Sequence, residues 1–324
     1  MKLRVHFSVE DLSRVHVARG PDPMWEIVLS ANKLLNTEGR AVFGAWRVRA
    51  RARLRRLPRA QVKLIRYLAP SVGDFPDFLT PFQTAPDLRA GVTAVLATPK
   101  RRLRKDLAVL ADPPAWAEPL ADADRATLTE LGNALQGYYQ AVLAPVWPRL
   151  HALVDADRAV RARALLDHGT DGLLHSLRPA LRWSPPVLEA DYPVNRDLHL
   201  AGRGLLLVPS VFCHGGPVTL IDPDLAPVLI YPVAPGRDWW VHPALTRSDA
   251  LARLLGPGRA AALRVIEQGC TTSELARRTG LAPPTVSQHA TALRAANLIV
   301  STRHRNTVVH TLTPLGTALL AENT

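Results

Sequence analysis

Between Pro283 and Ala296 a helical advance of about 100° per residue puts Val286, Ala290 and Leu293 on one face and Pro284, Ser287, Gln288 and Thr291 on the other. The second face is short, rich in hydrogen-bonding groups and almost free of charge. Such a face suits the major groove of a duplex, where a Gln side chain pairs bidentately with adenine and Ser or Thr hydroxyls accept several bases. Thr285 stands near the helix start, where a phosphate is favoured. Further on, Arg303-His304-Arg305-Asn306 forms a basic tip between Leu298-Ile299-Val300 and Val308-Val309-His310-Thr311-Leu312. Arg303 and Arg305 are spaced to follow a phosphate backbone or to enter a minor groove. The candidate DNA-contacting set is Thr272, Pro284, Thr285, Ser287, Gln288, Thr291, Arg294, Arg303, His304 and Arg305. His289 lies beside the apolar stripe and is read as packing or as bonding the hairpin, in preference to reading a base.

The elements that must hold these residues are legible from Ser248 onward. Ser248 can cap a helix with Leu251, Leu254 and Leu255 on one face, closed by Gly256. Arg259 to Gln268 forms the next helix, buried through Leu263 and Ile266 and stopped by Gly269. Thr271-Thr272-Ser273-Glu274 fits a capping box, in which Thr271 satisfies a first-turn amide and Glu274 reaches back. That helix runs through Arg278 to Gly280, whose freedom at positive φ permits the turn into the next helix. Pro283-Pro284 is tolerated in a first turn, although Ala282 offers no side-chain cap. After the hairpin, Thr313-Pro314 opens a last helix carrying Leu315, Ala318, Leu319 and Leu320.

This succession resembles the ArsR family of winged-helix repressors. The stretches that carry the resemblance are Leu255-Gly256-Pro257-Gly258-Arg259-Ala260, Thr271 to Ala276, Thr285-Val286-Ser287-Gln288-His289, Leu293 to Leu298 and Leu312-Thr313. It implies a winged helix-turn-helix, a recognition helix from Pro283 to Ala296, a wing tip from Arg303 to Asn306, and a homodimer reading a pseudo-palindromic site. It also implies a dimer contact through 248–256 and 313–321. Two departures stand out: the Pro-Pro start of the recognition helix, and Arg305-Asn306 where Gly-Arg is common, so the wing turn differs. The metal ligands of the metal-sensing members are absent. The helix before recognition reads Ser273-Glu274-Leu275-Ala276-Arg277, and the last helix offers only Glu322. No metal and no cofactor is therefore expected.

The whole chain has 324 residues, room for two ordinary domains, with 47% hydrophobic and 21% charged residues, which predicts packed cores rather than disorder. A formal net charge of +12 and a sequence pI near 10.6 bias it toward polyanions. Cys213 and Cys270 are too few for a disulfide framework or a CxxC knuckle, which fits a reducing cytoplasm. Met1 to Glu10 lacks the apolar core of a signal peptide, and no stretch reaches the roughly 18 apolar residues of a membrane span.

The expected fold is mainly α with a minor β part (α+β): a large mixed domain over 1–245 and the winged helix-turn-helix over 246–324. Strands are read near 1–18 (Leu3, Val5, Phe7; Val15, Val17), with a helical turn at Ser8 to Leu12, and again at Arg203 to Cys213 and Pro227 to Val233. Helices are read from Asp22 through Leu35, over 46–57, 58–68, 86–97, 100–110 and 123–141, and from beyond Pro148 to about Asp167. Trp183, Gly202 to Phe212 and Leu229-Ile230-Tyr231-Pro232 resemble the long N-terminal region of some actinobacterial ArsR-like regulators. That region is read as dimerising or signal-sensing, so a small-molecule effector or a protein partner remains the alternative function for it.

Three other clusters are weighed. Arg47, Arg49, Arg51, Arg53, Arg55, Arg56 and Arg59, with Lys100 to Lys105, either extend a DNA footprint or form solvated helix faces; the second reading is preferred. Trp183, Phe212, Tyr231 and Trp239-Trp240 are read as core in preference to a ligand pocket. His214-Gly215-Gly216 has the look of an oxyanion loop, but the chain has no GxSxG elbow, and Cys213-His214 is too small a pair for a metal. No catalytic residue is assigned, and the reading is of a DNA-binding regulator, not an enzyme.

Overall fold

Apolar alternation at Leu3 and Val5 builds the strand β1 (Lys2–His6), with both side chains fully buried. Ser8 then caps the single turn α1 (Val9–Leu12) in a reciprocal box with Asp11, and β2 (Val15–Val17) follows. In this computed structural model the described residues are 1–71, 73–82, 87–236, 239, 247–267, 269–304 and 307–321. They form two units, Met1–Trp240 and Val241–Thr324, and the architecture is α+β with most residues helical.

The helical part of the first unit starts at α2 (Pro23–Leu35). Asp22 caps it by accepting from the Met24 and Trp25 amides at 2.8 and 3.3 Å, and Pro23 supplies a preset φ in the first turn. Next come α3 (Arg40–Leu54) and α4 (Arg59–Leu68). After a 3-10 turn at Asp77–Leu79 follow α5 (Leu88–Leu96), α6 (Lys100–Leu107), α7 (Ala117–Ala121) and α8 (Arg125–Tyr138). Pro145 lacks an amide and its ring crowds the preceding turn. The chain there passes through a π turn (Tyr139–Leu143) and a 3-10 turn (Ala144–Val146) before α9 (Trp147–Ser176). That helix outlasts the expected end near Asp167 and is broken at Gly169, where φ is +65°.

Among the described residues two four-stranded sheets complete the unit. One is ordered β3 (Arg182–Ser184), β4 (Val187–Asp191), β1 and β5 (Arg196–His199). The other is ordered β2, β6 (Leu205–Ser210), β8 (Val228–Pro232) and β7 (Val218–Thr219). β2, β6 and β8 run parallel. Both faces of a parallel sheet are usually covered, which explains why β6 and β8 read as continuous apolar runs.

The helices and the β6 sheet are tied by a buried carboxyl. Glu26, wholly inaccessible, accepts from the Ser210 hydroxyl (3.0 Å) and the Val211 and Phe212 amides (2.9 and 3.2 Å). Burial outweighs these bonds and raises its pKa to about 7. A second tie is ionic. Arg102 on α6 gathers Asp77, Asp106 and Asp222, and Asp77 also accepts from the Ile221 and Asp222 amides at 2.9 and 2.8 Å.

The aromatic residues divide among separate parts of the core. Trp183 packs on Phe7 and donates to Asp171; the Tyr231 hydroxyl donates to Asp157; Phe212 and Trp239 surround Phe43. Trp240 lies outside the described residues. The arginine run is not one solvated face. Arg47 is buried and donates to the Lys33 and Glu38 carbonyls, and Arg51 donates to the Leu34 carbonyl at 2.6 Å. Both satisfy carbonyls at or just beyond the end of α2, where positive charge is also favoured.

The second unit comprises α10 (Arg247–Leu255), α11 (Pro257–Ile266), β9 (Cys270–Thr271), α12 (Thr272–Thr279), α13 (Pro283–Ala295), β10 (Ile299–His304), β11 (Thr307–Leu312) and α14 (Pro314–Ala321). Because α10 already opens at Arg247, Ser248 falls inside its first turn and not ahead of it. Leu263, Ile266, Leu275, Val286, Leu293 and Ile299 form the core of this unit, each such burial contributing about 1.5–3 kcal/mol.

Candidate nucleic-acid interface

α12 and α13 owe their mutual placement to local chemistry. The Thr271 hydroxyl accepts from the Glu274 amide at 3.2 Å, closing the first turn of α12. The Glu274 carboxylate does not reach back as the capping pattern predicts; it takes Arg278 and, at 3.8 Å, Arg277. A cationic pair one turn away outcompetes a single backbone amide for it. Gly280 then adopts φ +69° and ψ +13°, a left-handed conformation that glycine tolerates without a Cβ clash. Ala282 gives α13 no side-chain cap, as expected. Pro283 and Pro284 carry no amide hydrogen, so Thr285 bears the first N–H of the helix.

Around α13 the two faces separate as the periodicity requires. Val286, Ala290 and Leu293 are buried, whereas Pro284, Ser287, Gln288, Thr291 and Arg294 are exposed and Thr285 is half-buried. Ser287, Gln288 and Thr291 line a shallow open trough of about 400 Å³ with Ala292 and Ala295. Small side chains at 292 and 295 leave the longer Gln288 standing clear. His289 leans on α11: a Cβ on Gly258 would sit 2.5 Å from its Nε2. Of the roles weighed for His289, packing is therefore the one its surroundings match.

The hairpin of β10 and β11 pairs Ile299 with Leu312 and Arg303 with Val308, and β9 adds a third antiparallel strand. Arg303 is exposed near its tip. Arg305 lies outside the described residues, as does the side chain of His304. Asn297 ends α13 at φ +56°, and the Thr313 hydroxyl, which accepts from the Gly316 amide, donates to the Asn297 carbonyl at 2.7 Å. Gly316 is required by contact as well: a Cβ there would lie 2.1 Å from the Leu298 carbonyl oxygen.

Thr272 is placed differently from the rest of the set. Its hydroxyl meets His310 Nε2 at 2.9 Å, while His310 Nδ1 meets the Ser301 hydroxyl at 2.8 Å. His310 is buried, and burial, then the charge of Arg294, lowers its pKa. A neutral imidazole thus links the start of α12 to both hairpin strands. His310 belongs to no motif of the sequence; its alternation with Leu312 along β11, which turns it inward opposite Ser301, is the pattern that marks it. Pro284, Ser287, Gln288, Thr291 and Arg294 share one helix face, Arg303 stands on the hairpin, and Thr272 is turned toward the interior.

Elsewhere, Cys213 is buried with its thiol pushed upward in pKa, and Gly215 makes a positive-φ turn beside His214. Among the described residues no group of three or more His, Cys, Asp or Glu could hold a metal ion. Among them, no helix is long and apolar enough to cross a membrane.

Comparison with known proteins bears on the same segment. A search of curated proteins and one of solved structures returned no match to the chain. Residues 257–301, from the start of α11 into β10, match the family model described as bacterial regulatory protein, arsR family. The segment holding the exposed face of α13 is thus an ArsR-type helix-turn-helix, a fold of DNA-binding transcription regulation.

Proposed function

We propose that the protein is a sequence-specific, DNA-binding transcription regulator acting as a homodimer, with repression as the mode implied by its family resemblance and the cytoplasm as its compartment. The observation that carries this reading is the exposed face of α13, where the uncharged Ser287, Gln288 and Thr291 stand above a buried apolar stripe and Arg294 adds a single charge. Affinity and discrimination come from different groups. Arg303, Arg294 and the Thr285 amide at the helix start meet phosphates and supply the salt-dependent part. Ser287, Gln288 and Thr291 read base edges. The remaining candidates divide likewise: Pro284 packs against the groove wall, His304 and Arg305 approach the backbone, and Thr272 acts by holding His310. The 1–240 unit sets dimer geometry or receives a signal.

The test is anisotropy titration of the full-length protein against labelled duplex from its own upstream region and against random duplex, across a salt series. At physiological salt the upstream duplex should bind about a thousandfold more tightly. Weak, equal binding to both, vanishing with salt, would overturn the reading.

A further inference from the structure

The 1–240 unit contains an unassigned cavity of about 910 Å³ bounded by α2, α3, α4 and α8. Its volume lies within the range of small-molecule sites. Ala31, Leu34, Ile65, Ala134 and Tyr138 give it a buried apolar floor, and Leu35, Leu54, Leu57 and Val62 continue it as half-buried walls. The Tyr138 hydroxyl is already bonded to Ser30 at 2.9 Å, so the ring presents only its hydrocarbon part. At the mouth stand Arg51, Arg55, Arg59, Lys63 and Arg66, and among the described residues no acidic one lines the cavity.

On other helices of this unit Arg102, Arg161 and Arg163 each hold a carboxylate one helical turn away, the i, i+4 spacing at which opposite charges meet. Among the described residues, Arg55, Arg59, Lys63 and Arg66 have no ion-pair or hydrogen-bond partner, and neither has the Gln61 amide in the wall between them. Four unpaired cations converging on an apolar cavity raise the local potential where a counter-charge would be welcome.

We propose that this cavity binds an organic anion with an extended apolar body, its hydrocarbon part against Leu34, Ile65 and Tyr138 and its carboxylate among Arg55, Arg59 and Lys63. The proposal concerns binding by the 1–240 unit and does not rest on the DNA-binding reading. A guanidinium fork or ammonium donating to a carboxylate supplies directed bonds, and the apolar floor supplies the area term.

The experiment is isothermal titration of the full-length protein, without DNA, with dodecanoate below its micelle concentration and with dodecyltrimethylammonium as the oppositely charged control. Dodecanoate should bind with one site per chain, and the cationic chain should not. The double change Arg59→Glu with Lys63→Glu should weaken dodecanoate about tenfold or more. Val62→Trp, which fills the lumen from a half-buried wall, should remove binding without touching a charge. Arg101→Glu, on the exposed side of α6, should leave it unchanged. Equal binding of the two chains, many weak sites insensitive to Val62→Trp, or no saturable heat would each overturn the proposal. A concentration-dependent dimer abolished by Arg59→Glu would do so too, by assigning the cavity mouth to a second copy of the chain.

Discussion

Replacing Gln288 by Ala removes the longest uncharged side chain from the exposed face of α13 while leaving Val286, Ala290 and Leu293 buried beneath it. Among the described residues Gln288 has no partner within its own unit, so folding stability should move by no more than about 0.5 kcal/mol. A bidentate base contact is worth about 1–3 kcal/mol, or roughly 5- to 150-fold per half-site, and a symmetric dimer loses it twice. Arg303→Ala acts on the other term. Each phosphate contact contributes about 0.9 to the slope of log affinity against log salt, so two copies should flatten it by nearly 2. Anisotropy titrations of both variants on the specific and random duplexes, from low to physiological salt, separate the effects. Gln288→Ala should shrink the ratio of the two affinities at an unchanged slope; Arg303→Ala should weaken both duplexes and flatten the slope. Equal losses of the two variants on both duplexes would refute the assignment of the reading face.

Further expectations follow from buried groups. Glu26 has its pKa raised from an ordinary 4.5 to about 7 and Asp22 from 3.8 to about 6; a raised acid stabilises the fold below its unfolded value and that contribution is lost as pH rises through the folded one. Hydrogen exchange at 205–213, corrected for intrinsic rates, should therefore quicken between pH 5 and 8, and Glu26→Gln should flatten that profile; an unchanged profile would count against the cause. His310 behaves oppositely, because its pKa is lowered: its contribution is present above the ordinary 6.5 and lost as pH falls. Protection at 299–312 should thus weaken toward acid, a trend His310→Leu abolishes. Arg102→Met strands Asp77 and Asp106 without their counter-charge and should cost about 3 kcal/mol or more in a urea melt; a loss below 1 kcal/mol would show the network to be dispensable.

The winged helix was the more legible part because its determinants are local. Gly280 with positive φ, the Thr271 cap and the i, i+4, i+7 stripe of Val286, Ala290 and Leu293 all act within a turn or two of the chain. Helices of the first unit were legible for the same reason, with α4 and α5 within two residues at each end of the expected spans. α3 starts six residues ahead of the expected span because Gly39, at φ +59°, begins it. Pairing at long range was not legible. β1 lies between β4 and β5, whose partner residues are 181 to 193 positions away, and β1 and β2, adjacent in sequence, enter different sheets. Side chains with two competing partners also escaped the sequence reading: Glu274 chose Arg278 over a backbone amide, and Arg47 and Arg51 left the solvated face for the end of α2. The cavity among α2, α3, α4 and α8 could not be read at all, since it exists only where four separately legible helices meet.

Selection of duplexes from a randomised pool by the full-length protein, followed by sequencing of the bound fraction, tests the central claim most directly. The account predicts an enriched pseudo-palindrome whose half-sites lie about 10–10.5 base pairs apart or a multiple of that, and loss of base preference inside the half-sites when Gln288→Ala is selected in parallel. A bound fraction with no enriched motif, or a motif identical for the two proteins, would contradict it.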